Sequence, residues 1–444
     1  MAERESDSIP PVTKVLFVAV GEAEVPAFET IAKSLGANGI ATRLVTWLPR
    51  LATKFAESLE RMSGRVCPQH DVADVLAGGG IADISMAADY DRDWHFAGVA
   101  SKRRHVSRVY AALAQVFDEF QPDLVVSSVG GETTRIISDA IARSRGVQTA
   151  YFNAVPIPGR FTILRSLDAP FVPYEGAGTS FKPAAEETLA SQCSGEPGKN
   201  GQAPQTSSPL EGLHRLWAQS VGREKTYPIT WIPRKAVAVM KQELLRRTPT
   251  KSDGFRAGHV KVLYPLHDER DFQVAVRERH AIPQASLLSY VSSVIPPEYQ
   301  LYVKPHPEHA SAHHTLLWRN LASRPNVTFL DARTPASEAI ESCDIVFTLA
   351  SSLGFEALQA GKPVVSYGRP FYGNRGLTTD VADPRDIAKA IEDTVGTKPS
   401  SSEISQLVTT MKSWSWEGSF TPLVMDSQNL QKLADAVQEV VTQL

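Results

Sequence analysis

Apolar positions in this chain fall in short runs separated by amphipathic stretches. Residues 14–20 (KVLFVAV) end at Gly21, FETIAKSLGANG follows with helical periodicity, and a second apolar run occupies residues 42–47. The pattern predicts β-α-β. It returns with LVVSSV at residues 124–129, a helix from Thr133 to Arg145 closed by Gly146, and TAYFN at residues 149–153. Residues 50–120 read as mainly helical, broken by AGGG at 77–80. From about residue 175 the regularity fails. CSGEPGKNGQAPQTSSP, residues 193–209, has too few apolar side chains to offset its ordering entropy, so a disordered linker is expected there. Helical segments around 210–221 and 233–247 lead into a second alternating series, with strands at 260–266, 300–304, 327–330, 345–349 and 363–367. Alternation of this kind implies parallel, doubly wound sheets. The chain therefore reads as α/β with two Rossmann-like domains: an N-terminal one over 12–174, a linker or insertion over 175–258, a C-terminal one over 259–426, and a final helix over 427–444.

Composition narrows the partners. The 444 residues are 42% hydrophobic and 21% charged, with formal net charge −3, and the basic residues are scattered, so no nucleic-acid footprint stands out. Cys67, Cys193 and Cys343 are odd in number and far apart, which suits a reducing cytoplasm better than a disulfide framework. The polar start MAERESDSIPPVTK lacks the charged and apolar regions of a secretory signal. No apolar run approaches the roughly 18 residues of a membrane span, so any association with the inner membrane is expected to be peripheral.

In open parallel sheets, ligands sit outside the carboxyl ends of the strands. The second series carries three polar groups at such ends. His267, Asp268, Glu269, Arg270 and Asp271 follow YPL. After LYVK come Pro305, His306, Pro307, Glu308 and His309, where two prolines fix the backbone around His306 and Lys304 adds positive charge, an arrangement suited to phosphate. Third, LASSLGFEALQAGKPVVSY closes a strand with Ser351 and Ser352 and opens a helix whose free N–H groups form an anion site. Ser352 is the expected N-cap, Gly354 is read as room for a ligand near the backbone, and Glu356 could receive ribose hydroxyls. In the first series, Gly130, Gly131 and Glu132 follow LVVSSV, and Glu132 either serves a ligand or favours its helix N-terminus. Asp89, Asp91 and Asp93 read as a solvated loop or helix start, and His309, His313 and His314 as a polar helix face, so no metal site is expected. Neither a Walker A loop nor G-x-G-x-x-G appears, and no cofactor is expected.

YPLHDERD, LYVKPHPEH and SSLGFEALQAGKPVVSYGRPFYGNRGLTTD, with the spacing between them, cover roughly residues 260–380. This stretch resembles the bacterial capsule-polysaccharide biosynthesis family, which includes the β-Kdo transferases of capsule lipid linkers. A His-Pro motif followed by a Ser-Ser motif also resembles bacterial sialyltransferases. The resemblance implies two Rossmann-like domains facing across a cleft (GT-B), with a C-terminal helix crossing back to the first. It further implies a metal-independent glycosyltransferase that moves a CMP-activated acidic sugar such as Kdo to a surface or capsular glycan or glycolipid acceptor. Carried over, His306, Pro307, Ser351 and Ser352 would bind CMP; Lys304 and Glu356, read from their places at a strand end and on a helix start, join the expected nucleotide site. Asp271 would be the carboxylate at the reacting centre, with Glu269 and Glu132 as further acid or base. Family members often carry Gln-Val-Glu-Asp-Asp where this chain has His267 to Asp271, so Arg270 replaces an acid. A nucleotide-sugar 2-epimerase and a non-catalytic capsule-assembly protein share the fold and stand as alternatives.

Overall fold

The computed structural model describes residues 12–63, 86–91, 93–94, 97–168, 171–176, 237, 254–306, 316–420 and 423–444. The expected linker at 193–209, the AGGG loop, Cys67, Cys193, Pro307, His309, His313 and His314 lie outside them. The chain divides into two compact units. One comprises Met1–Leu167, Val172–Cys193 and Thr410–Leu444, the other Asp168–Phe171 and Ser194–Thr409.

The first unit is built on β1 (Lys14–Ala19), β2 (Ala41–Thr46), β3 (Ala56–Ser58), β4 (Leu124–Ser128), β5 (Gln148–Ala154) and β6 (Arg160–Leu164). Between strands run α1 (Glu24–Ala37), α2 (Val99–Phe120) and α3 (Thr133–Ser144). β1 pairs in parallel with β2 on one side and with β4 on the other, so the strand order reverses at the β1/β4 boundary. Val15, Leu16, Phe17 and Val18 are all fully buried, which is why β1 reads as a continuous apolar run rather than an alternating one. Gly146, just past α3, has φ +68°, a left-handed conformation that a glycine adopts without strain.

Among the described residues the second unit has six parallel strands: β7 (Val260–Pro265), β8 (Tyr299–Lys304), β9 (Val327–Phe329), β10 (Ile345–Thr348), β11 (Val364–Ser366) and β12 (Thr379–Asp380), in the order β12-β11-β10-β7-β8-β9. Here the reversal lies between β7 and β10. Its helices include α4 (Gln284–Val294) and α5 (Ser352–Gln359).

At Thr410 the chain returns to the first unit. β13 (Trp416–Glu417) adds to β6 in antiparallel fashion, and α6 (Ser427–Thr442) packs its Leu430, Leu433, Val437 and Val440 into the same core as Phe28, Ile31 and Leu35 of α1. The return is pinned by polar bonds. Asp426 caps α6 by accepting from Asn429 N at 2.8 Å, the Asn429 amide donates to the Ser419 and Val424 carbonyls, and the Trp416 indole donates to Glu439 at 2.7 Å. The expected crossing of the C-terminal helix to the first unit is thus observed. Strands β3, β6, β12 and β13 escaped the sequence reading. β3, β12 and β13 are two or three residues long, and β6 and β13 pair antiparallel at the sheet edge.

Candidate active site

Ligands of open parallel sheets bind where strand order reverses, because the loops at that boundary diverge to opposite faces and leave a crevice. Each unit has polar groups at its reversal.

In the second unit, the loop after β7 is held by one buried side chain. Gln284, the first residue of α4 and fully inaccessible, accepts at Oε1 from His267 N (3.0 Å) and from the Tyr264 hydroxyl (3.2 Å), and donates to the His267 carbonyl (3.1 Å). Glu269 completes the clasp by accepting the Gln284 N–H at 2.8 Å, which neutralises a free donor at the start of α4. Asp268 is buried and pairs with Arg270 within the loop, its Oδ1 accepting from Arg270 Nε at 3.1 Å. The acid-to-Arg270 departure noted in the sequence is therefore matched by a local partner. Asp271 accepts from Gln273 N at 2.9 Å and so opens the one-turn helix Gln273–Arg277.

The clasp fixes His267. Its Nε2 is buried and has no hydrogen-bond partner. Burial, reinforced by the charge of His306, pulls the imidazole down to about 4, while Asp271 works in the opposite sense. His267, Asp271 and His306 therefore lie within electrostatic reach of one another. The buried Arg277 joins them, its charge supported by Glu278, Asp168 and Asp271, although burial lowers it to about 10. Sequence reasoning placed His267 in the loop without giving it a role and passed over Arg277. The first carried a usable signal, being the first residue beyond the Leu266 end of a buried strand.

Lys304 ends β8 and is buried. Burial lowers its ammonium below the ordinary lysine value, opposed by Asp331 and by Glu356 of α5, so the ends of β8 and α5 lie in one electrostatic neighbourhood. His306 is exposed two residues on. At the end of β10, Ser351 rather than Ser352 is the N-cap of α5. Its backbone is extended, its hydroxyl accepts from Leu353 N at 3.2 Å, and its N–H is held by the Thr348 hydroxyl at 3.1 Å. Ser352, the first residue of the helix, is exposed, as is Glu356. Gly354 does not leave room for a ligand. A side chain there would overlap the Tyr372 hydroxyl and stand 2.8 Å from its Cζ, and that hydroxyl donates to the Ser351 carbonyl at 2.5 Å. The glycine makes room for the tyrosine that props the turn.

In the first unit, Glu132 is the residue at which α3 begins, and its side chain pairs with Arg135 rather than capping the helix. Gly130 fits this pair, since a Cβ there would overlap both charged groups. Arg135 is 5% exposed and also pairs with Glu24 at 2.5 Å. Glu24 is saturated by the N–H groups of Val20 (2.7 Å) and Gly21 (2.9 Å), the Ser128 hydroxyl and Arg135. Burial alone would raise its carboxyl, but Arg135 and these donors hold it below the ordinary value. The Gly-Glu-Ala-Glu run after β1 obeys the same strand-end rule applied elsewhere, and the sequence reading missed it. Asp91, expected in a solvated loop or helix start, is instead buried, accepting from Thr133 N and Oγ1 at 2.8 Å each, and burial raises it to about 6. Among the described residues no group of three or more His, Cys, Asp or Glu is placed to hold a metal ion, and no helix is long and apolar enough to cross a membrane.

Two open, mainly parallel sheets with polar groups gathered where strand order reverses define a protein of two Rossmann-like domains. Residues 220–395 match the family model described as capsule polysaccharide biosynthesis protein. It is similar to the lipopolysaccharide-processing protein LpsZ of Rhizobium meliloti, with 36% identity over 85 residues, 19% of each chain. To the capsule polysaccharide modification protein LipA of Neisseria meningitidis serogroup A it is 31% identical over 129 residues, 27% of this chain and 17% of that one. The matched segments thus span less than a fifth of these curated relatives. Among solved structures, Thermosulfurimonas dismutans KpsC, β-Kdo 2,7 transferase, aligns at 18% identity over 74% of this chain and 89% of that one, with a TM-score of 0.36.

Proposed function

We propose that the protein is a metal-independent glycosyltransferase of GT-B type acting in capsule or surface polysaccharide assembly at the cytoplasmic side of the membrane. The second unit holds a CMP-activated acidic sugar such as Kdo, and the first takes a glycan or glycolipid acceptor. The observation that carries this reading is the β7/β10 reversal, where His267, Asp271 and His306 share one neighbourhood and the Ser351 helix start opens on the same edge. The match of residues 220–395 to the capsule polysaccharide biosynthesis model supports directing the chemistry to capsule polysaccharide.

In the reaction, the bond between the anomeric carbon and the CMP phosphate oxygen breaks, and an acceptor hydroxyl oxygen bonds to that carbon in its place. Lys304, His306, the Ser352 N–H that opens α5 and the proton of the Ser351 hydroxyl stabilise the charge that collects on the departing phosphate. Glu356 receives ribose hydroxyls. Asp271 is the carboxylate at the reacting centre. Glu269 is the further carboxylate of this unit through which the acceptor proton leaves.

Thermal unfolding with CMP, UDP, GDP and dTDP in turn tests the donor assignment. At about 100 times its dissociation constant a ligand adds about 2.7 kcal/mol to the native state, which moves the midpoint by several degrees. CMP is expected to raise Tm most. An equal response to all four, or a response to UDP alone, contradicts the CMP assignment, and the UDP result points to the epimerase class.

A further inference from the structure

We infer that Asp168 and Phe171 are positioning residues of the second unit, holding the Arg277 side chain in place beside Asp271. The effect on turnover rests on the transferase reading, while the holding of Arg277 stands on geometry. Asp168–Phe171 belongs to the second unit, although Leu167 and Val172 on either side of it belong to the first. Phe171 joins two loops of the second unit whose strands are not neighbours, since β10 lies between β7 and β11. The guanidinium carbon of Arg277, in the loop after β7, stands 5.8 Å from the centre of the Phe171 ring, and the ring of Phe371, in the loop after β11, lies 6.3 Å from it. Both separations are within the reach of ring-to-cation and ring-to-ring attraction.

The backing behind Phe171 is firm. Phe371 is set edge-on to Phe355 of α5 at 5.3 Å and to the buried Tyr372 at 5.0 Å. The Arg277 backbone is fixed separately, by its carbonyl accepting from the Arg369 guanidinium at 2.9 Å and by the adjacent Glu278 accepting the Arg369 N–H at 2.7 Å. Its side chain is aimed by other contacts, among them Gln273, which accepts from Nη1 at 3.1 Å, the Phe272 ring at 4.9 Å and Phe171. Of these three, Phe171 alone comes from a distant part of the chain. Asp168 acts on the same group through charge, pairing with Arg279 at 3.6 Å and, with Glu278 and Asp271, supporting the charge of Arg277 against its burial. Arg277 thus lies within electrostatic reach of the carboxylate assigned to the reacting centre. Misplacing such a cation should slow the reaction without loosening the nucleotide.

The full chain, isotopically labelled at arginine and with the Arg277 Nε–H magnetic-resonance signal assigned by Arg277→Lys, is compared as parent, Phe171→Leu, Phe171→Tyr and Asp168→Asn. Phe171→Leu keeps an apolar side chain but loses the ring, so the Arg277 signal should shift and broaden. Turnover of CMP-Kdo with a glycolipid acceptor should fall about tenfold while CMP affinity stays within about threefold. Phe171→Tyr restores the ring and should return the signal and the turnover to near the parental values. Asp168→Asn should also shift the signal and lower turnover, which covers the case in which Phe171→Leu does not fold. An Arg277 signal unmoved in both Phe171→Leu and Asp168→Asn overturns the inference. So does parental turnover in both variants, or a loss of CMP affinity as large as the loss of turnover, which marks a merely structural role. If the parent itself releases no CMP from CMP-Kdo, the transferase reading falls and the Arg277 signal alone decides this inference. An active parent with an unmoved signal leaves the transferase reading standing and refutes this one.

Discussion

Gly354→Ala should destabilise the protein even though alanine is the better helix former. The added methyl would overlap the Tyr372 hydroxyl, stand 2.8 Å from Cζ and lie 3.2 Å from Thr348 Cγ2. Tyr372 is fully buried and set edge-on to Phe371 at 5.0 Å, so its ring cannot swing away cheaply. Forcing one methyl into such packing costs about 1–3 kcal/mol. Displacing the hydroxyl from the Ser351 carbonyl costs about 1 kcal/mol more. The gain from replacing glycine in a helix is about 1 kcal/mol. The net loss is therefore about 2 kcal/mol, or roughly 5 °C in the midpoint. Urea and thermal unfolding of Gly354→Ala, Tyr372→Phe and the double variant measure it. Removing the hydroxyl eliminates the worst overlap but leaves Cζ in place, so the double variant should recover about half of the loss; because Tyr372→Phe alone loses about 1 kcal/mol with its hydrogen bond, the coupling is about 2 kcal/mol. CMP affinity should fall too, because the Ser351 turn is no longer propped. A Gly354→Ala protein as stable as the parent, or strict additivity in the cycle, refutes the reasoning.

Glu24→Gln removes the buried partner of Arg135 and should cost about 3 kcal/mol in chemical denaturation, whereas a loss under about 1 kcal/mol means the pair is not structural. His105 lies stacked on Trp94 at 3.7 Å and edge-on to Trp47, and burial with the nearby Arg108 charge holds its imidazole down to about 3. The unfolded chain takes that proton near pH 6.5 and the native state does not, so the stability is present above pH 6.5 and is lost as pH falls towards 3. At pH 5 the parent should have lost about 2 kcal/mol relative to His105→Phe, measured as the difference in unfolding free energy between pH 7 and pH 5. The comparison with the variant is needed because Asp91, raised to about 6, changes stability in the opposite sense, losing it as pH rises from about 4 to 6.

The sheets were legible in the sequence because parallel strands buried on both faces are written as unbroken apolar runs. KVLFVA and VKVLYP announce themselves, and the turn residues between them mark the helices. Two-residue β12 and β13 bury too little to leave a pattern. At the site, the strand-end rule led to His267, Lys304 and Ser351 because their positions follow from local periodicity. It could not reveal that Gln284 clasps the β7 loop, nor that Tyr372 fills the space above Gly354, since each contact joins residues 17 or more positions apart. Arg135 was hidden for a related reason. Its partner Glu24 lies 111 positions away, and only the fold makes them neighbours.

The central claim is that bonds change beside Asp271 while the nucleotide is held by the neighbouring strand ends, and one pair of assays on Asp271→Asn tests it. The first follows CMP release from CMP-Kdo in the presence of a glycolipid acceptor, and the second titrates CMP. An interaction made only in the transition state lowers turnover without weakening ground-state binding. Asp271→Asn should therefore lose turnover by a factor of about 100 or more and keep CMP affinity within about threefold, with unchanged circular dichroism. Near-parental turnover in the variant would contradict the account and reduce Asp271 to the residue that opens the Gln273–Arg277 turn.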